Sequence, residues 1–175
     1  MELILQEQMA PGFRVDRESK TIHDVCLLGP VSRNGWKYSA QVIAEAAPRY
    51  DRRPVYFNHI KSGSQRDVRD VAGRIASPRL KEGRLYGDIK CIGRNGDMLM
   101  ELAESGVDGI GMSHLTDASS VVIEKTKTVM KIGNIKSVDV VDDPATTKTL
   151  KEEVTLELKE QLAGLLEGTK PVIER

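Results

Sequence analysis

Between Thr21 and Val141 the apolar residues come in short runs rich in β-branched side chains. Each run is stopped by glycine, proline, asparagine or aspartate, and only two stretches keep helical spacing. That punctuation predicts an α+β chain built as a mostly antiparallel β-barrel with flanking helices. Strand-like runs fall at Leu3–Gln6, Thr21–Leu28, Pro54–Phe57, Ile110–Thr116, Ser120–Ile132 and Ser137–Val141. A hairpin is expected from Val71–Ser77 and Arg84–Cys91, turning between Pro78 and Gly83. The first helix runs from Ala40 to about Arg49, capped by Ser39, with Val42, Ile43, Ala46 and Ala47 as its apolar stripe and Pro48 in its last turn. The second is Asp97–Ser105, where Met98, Leu99, Leu102 and Ala103 share a face and Gly106 suits the position past the end.

Beyond position 147 the pattern changes. Thr149 and Glu152 have the capping-box spacing, and Leu150, Val154, Leu158, Leu162 and Leu165 recur at three and four residues on an otherwise charged segment. The expected organisation is a barrel domain at 1–147 and a C-terminal amphipathic helix at 148–175. That helix either docks on its own barrel or binds a partner.

Composition narrows the function classes. Lys+Arg and Asp+Glu are 26 each, so there is no overall basic field for nucleic acid or a membrane surface. No apolar run approaches the ~20 residues that span a bilayer. The start, MELILQEQM, lacks the basic region of a secretory signal. Cys26 and Cys91 form no CxxC pair, which fits reduced thiols in a cytoplasmic protein. Neither a metal nor a cofactor is expected: the three histidines have no HExxH spacing, and Gly93-Arg94-Asn95-Gly96 lacks a phosphate-loop lysine.

The stretch Gly109-Ile110-Gly111-Met112-Ser113-His114-Leu115-Thr116 carries the candidate nucleophile. Strand alternation puts Gly111, Ser113 and Leu115 on one face, and glycine beside serine leaves room for a substrate backbone. The hydroxyl needs a base within hydrogen-bond reach. His114 is adjacent in sequence, but a strand aims it away. His59 follows the apolar run Pro54–Phe57 and opens a polar loop, a usual place for a functional group; the bland alternative is a structural histidine. His23 has no matched partner and is read as structural. In Ser137-Val138-Asp139-Val140, the valines face the core while Ser137 and Asp139 share the other face. A carboxylate there needs a partner, which is either a histidine or a surface cation. Asp142 and Asp143 beside Pro144 are explained by a turn. Leu115 stands where a nucleophile elbow has its second glycine, against an α/β-hydrolase. The charges at Arg66, Asp67, Arg69 and Asp70 read as a solvated loop.

Taken together, NG-x-x-Y, a helix, PVYFNH, VAGRI, GRLYGDI, GIGMSHL and SVDVVDDPATT, in that order over roughly residues 20–147, are similar to the tailed-phage prohead maturation serine proteases. That family in turn resembles herpesvirus assemblins in fold. The resemblance implies a serine endopeptidase with His59 as base and Ser113 as nucleophile. Its third member falls on Asp139 or Ser137: related sequences place the acid where Ser137 stands, and assemblins use a second histidine, for which His114 is the alternative. Asp139 shares the face of Ser137 and takes the role here. Trp36 occupies a position where the family often has arginine.

The implied substrates are a scaffold protein, the N-terminal segment of the major capsid protein, and the protease itself. The implied location is inside the assembling prohead in the host cytoplasm. The oligomeric state stays open, a homo-oligomer included. The rival readings are a non-enzymatic capsid-assembly module on the same barrel and, more distantly, a small-ligand-binding barrel.

Overall fold

A computed structural model describes residues 12–61, 63–123, 125–147 and 149–150. In chain order the strands are β1 (Arg14–Asp16), β2 (Thr21–Leu28), β3 (Trp36–Tyr38), β4 (Pro54–Phe57), β5 (Val71–Lys81), β6 (Arg84–Cys91), β7 (Ile110–Ile123) and β8 (Thr126–Asp142). Helix α1 (Ala40–Ala46) precedes β4, and α2 (Gly93–Ser105) lies between β6 and β7. The expected Leu3–Gln6 strand and nearly all of the expected C-terminal helix lie outside the described residues.

All eight strands belong to one sheet, in the order β1-β2-β6-β5-β4-β8-β3, with β7 also paired to β8. Most pairings are antiparallel, as expected; β3 and β4 instead run parallel to β8. The expected barrel is not closed, because among the described residues no strand pairing joins β2 to β7. The segment after β8 enters that gap. The Thr147 hydroxyl bonds to both backbone groups of Met112 on β7, and Cys26 N–H on β2 donates to the Leu150 carbonyl. The open sheet gains contacts between β2 and β7 here from an irregular segment.

Local chemistry explains most element ends. Ser39 caps α1 by accepting from Val42 N–H. Pro48 ends the α-helix earlier than expected, and Ala47–Tyr50 continues as a 3-10 turn. Gly106, at φ 63°, takes the left-handed position that closes α2. That helix starts at Gly93, four residues before the expected start, and it buries Leu99, Met100 and Ala103 while Met98 faces solvent. At Pro78 β5 does not stop; a bulge between Ala76 and Arg79 absorbs the proline, and the turn follows at Glu82-Gly83, both with positive φ. β7 and β8 likewise run on as one long hairpin where separate short strands were expected.

The core gathers Ile22, Leu27 and Leu28 of β2, Ile75 and Ile89 of β5 and β6, Ile43 of α1, Leu99 of α2, and Met112, Val138 and Val140 of β7 and β8. Each such side chain contributes about 1.5–3 kcal/mol on burial. This is what fixes the registers around β8: a slip of one residue would carry Val138 and Val140 out of the core.

Candidate active site

The central strand of the site is β8, with β4 on one edge and β7 on the other. In the antiparallel β7–β8 ladder Ser113 lies directly opposite Asp139, so both side chains leave the same face. In the parallel β4–β8 ladder Tyr56 is the partner of Asp139. The chain runs past Phe57 to Asn58, whose N–H donates to the Val140 carbonyl and whose φ of 62° turns the backbone out of the strand direction. The next residue, His59, then sits over the face that carries Ser113 and Asp139.

The contacts follow from that placement. Nδ1 of His59 is 2.8 Å from Asp139 Oδ2, and Nε2 is 3.1 Å from Ser113 Oγ. With a carboxylate on the Nδ1 side, the neutral imidazole carries its hydrogen on Nδ1 and presents the Nε2 lone pair to the serine hydroxyl. Asp139 is fully buried, whereas the His59 side chain is 43% exposed. The site is therefore dry at the acid and open at the base, which suits a group that must meet substrate.

Other expected members fall elsewhere. Ser137 shares the face of Asp139, but its described bond partner is Arg66 Nη2, at the 3.5 Å limit of a hydrogen bond. His114 points to the opposite side of β7, where Nδ1 lies 2.6 Å from the Tyr50 hydroxyl and the ring meets Tyr38 edge-on. Burial, with a smaller repulsion from His59, holds His114 down to about 4, and burial pushes the Tyr50 hydroxyl up. At neutral pH Tyr50 thus donates to a neutral His114. His23 is paired with Asp88 on β6, with β6, β5 and β4 between β2 and β8 in the sheet.

Two sequence expectations need correction here. The space beside Gly111 does not wait for a substrate: a Cβ there would lie 2.5 Å from Thr147 Oγ1 and 2.7 Å from Pro144 Cγ. The glycine lets the chain's own 144–147 segment pack against β7, one alternation step from Ser113. The charged loop after His59 is not wholly solvated either. Asp67 and Arg69 do pair in solvent, but Arg66 turns inward to Asp139 and to the Asn58 carbonyl. The one available signal was that a buried carboxylate calls for a cation, and it could not say which arginine supplies it.

Among the described residues no cluster of three or more His, Cys, Asp or Glu is arranged to hold a metal, and no helix is long and apolar enough to cross a membrane.

No protein-family model matches the chain, and no curated protein matches it in sequence. In solved structures, the capsid assembly protease of bacteriophage T4 is similar, with a TM-score of 0.51 and 20% identity over 69% of this chain and 80% of that one. At that identity the likeness is one of fold.

Proposed function

We propose that this chain is a serine endopeptidase of phage capsid maturation, with Ser113 as nucleophile, His59 as general base and acid, and Asp139 as the group that orients His59. The observation that carries the reading is the continuous set of contacts Asp139–His59–Ser113, from β8 through the loop just past β4 to β7. A fold similar to that of a phage capsid assembly protease supports the biological setting.

In this reading Ser113 Oγ attacks the scissile carbonyl carbon as its proton passes to His59 Nε2. The tetrahedral adduct collapses, the C–N bond breaks, and the leaving amine takes the proton from Nε2. Water then attacks the ester on Ser113 by the same route, returning the proton to the serine. Asp139 holds the Nδ1–H tautomer throughout and stabilises the imidazolium that forms twice per cycle. Backbone donors for the oxyanion, commonly worth ~3 kcal/mol each, are expected in the loop after Pro144. The substrates proposed are the scaffold, the capsid protein's N-terminal segment and the protease itself, inside the assembling prohead. Residues 1–147 would form the protease domain and 148–175 an appendage, removable beyond Leu150, which packs into the core.

The test is co-expression with a candidate capsid protein and scaffold, followed by mass spectrometry. Wild type should shorten its substrates and itself, and Ser113→Ala should leave every chain intact. Maturation that proceeds unchanged with Ser113→Ala would replace this reading by the non-enzymatic assembly module. For the appendage, a chain ending near Thr147 that keeps both activity and prohead targeting would remove its proposed role.

A further inference from the structure

Besides its long contact with Ser137 Oγ, Arg66 touches the site at three closer points. Its Nη2 donates to Asp139 Oδ2 at 2.6 Å, its Nη1 donates to the Asn58 carbonyl at 2.9 Å, and its guanidinium lies 4.3 Å over the Tyr56 ring. Each contact answers a separate physical need. Asp139 is fully buried, and an ionised carboxylate taken out of water is costly without a counter-charge. Asn58 sits in the left-handed region, which a non-glycine residue holds only when its surroundings fix it. Tyr56 is the β4 partner of Asp139, so its ring forms a floor on which a planar cation can lie beside the carboxylate. One side chain therefore restrains the acid and the peptide that delivers His59. Among the described residues Asp139 Oδ1 has no partner, which leaves all the orientation of this carboxylate to the bonds at Oδ2.

We infer that Arg66 is a positioning residue: by clamping Asp139 and the Asn58–His59 peptide with one guanidinium, it makes docking of the β4–β5 loop a condition for an activated Ser113. The inference rests on the protease reading above. Lysine does not replace it, since an ammonium is a point charge without the planar fork that reaches two acceptors at fixed angles and stacks on a ring. An exposed ion pair would behave differently, because either cation would serve it and its loss would go unnoticed at the serine.

The experiment uses the full chain and a fluorophosphonate probe, which reports activation of the serine without a known cleavage site. Labelling rates are compared for wild type, Arg66→Met, Arg66→Lys, Arg66→Gly and Ser113→Ala, with folding followed by circular dichroism. Arg66→Met should label roughly ten- to a hundredfold more slowly, by analogy with the loss when the outer partner that orients a metal-ligating histidine or carboxylate is removed. Arg66→Lys should recover only part of the rate, and low guanidinium concentrations should speed labelling of Arg66→Gly but not of Ser113→Ala. A folded Arg66→Met that labels within about twofold of wild type overturns the inference. Should Arg66→Met not fold, Arg66→Lys decides: a wild-type rate overturns the inference and a slower rate in a folded chain supports it. Absence of a labelled serine in wild type would instead sink the protease reading itself.

Discussion

Replacing Asp139 by asparagine removes a charge without removing volume, and the neighbours of the carboxylate dictate which way the new amide faces. Both native bonds end on Oδ2, from His59 Nδ1 at 2.8 Å and Arg66 Nη2 at 2.6 Å. An amide NH2 in that position would aim its hydrogens at two donors. The amide oxygen must therefore take the Oδ2 place, and the NH2 goes where Oδ1 lies buried without a partner among the described residues. His59 keeps its Nδ1–H tautomer, and what is lost is the charge. Hydrogen bonds to charged groups contribute about 1.5–3 kcal/mol against about 0.5–1.5 for neutral ones, so the imidazolium loses roughly 1–1.5 kcal/mol. At about 1.4 kcal/mol per factor of ten, Asp139→Asn should slow fluorophosphonate labelling by roughly five- to twelvefold. An asparagine free to turn over would present its NH2 to Nδ1, reverse the tautomer and cost on the order of ten-thousandfold. Adding Arg66→Met to Asp139→Asn releases that constraint and should carry the loss toward the larger figure. The reasoning is refuted if Asp139→Asn alone already loses on the order of ten-thousandfold, or if it labels at the wild-type rate.

Three further outcomes follow from the same structure. Gly111→Ala forces a Cβ against Thr147 Oγ1 and Pro144 Cγ, and should cost about 1–3 kcal/mol of stability in urea unfolding; no change would mean the 144–147 segment is not packed there. Thr147→Val removes the hydroxyl that serves both Met112 backbone groups at 3.2 Å, and a similar loss of about 1–3 kcal/mol is expected in the same assay. His114 is held at about 4 against an ordinary 6.5, so the unfolded chain binds the extra proton between those values. Its contribution is complete above the upper value and fades as pH falls toward the lower, by at most about 3 kcal/mol. His114→Gln, which still offers Tyr50 an acceptor, should flatten that part of the stability–pH curve; an unchanged slope would count against the partly buried, neutral histidine.

Periodicity made the strands legible because each half-buried strand must alternate, and so Ser113 and Asp139 could be assigned faces from the sequence. It also found both helices through the Ser39 cap and the Gly106 stop. It could not set the pairing. Nothing local in Val55-Tyr56-Phe57 or Val138-Asp139-Val140 says that these runs lie parallel and adjacent, although that adjacency brings His59 to Asp139. Pro78 reads as the end of a strand because a proline donates no ladder bond, yet a bulge carries β5 past it. Arg66 is unreadable for a related reason. Its loop has the composition of solvent-facing chain, and only the tertiary fold reveals that a buried carboxylate lies within reach of Arg66, while Arg69 pairs with Asp67. The tight packing over Gly111 likewise depends on residues more than thirty positions away.

The most direct measurement is to map the site of covalent fluorophosphonate attachment on the full chain by tandem mass spectrometry, in wild type and in His59→Ala. A hydroxyl activated by an imidazole supported from behind by a buried acid should give a single adduct on Ser113 that disappears in His59→Ala. Attachment to some other residue, or an adduct on Ser113 that forms just as readily without the imidazole, would contradict the account.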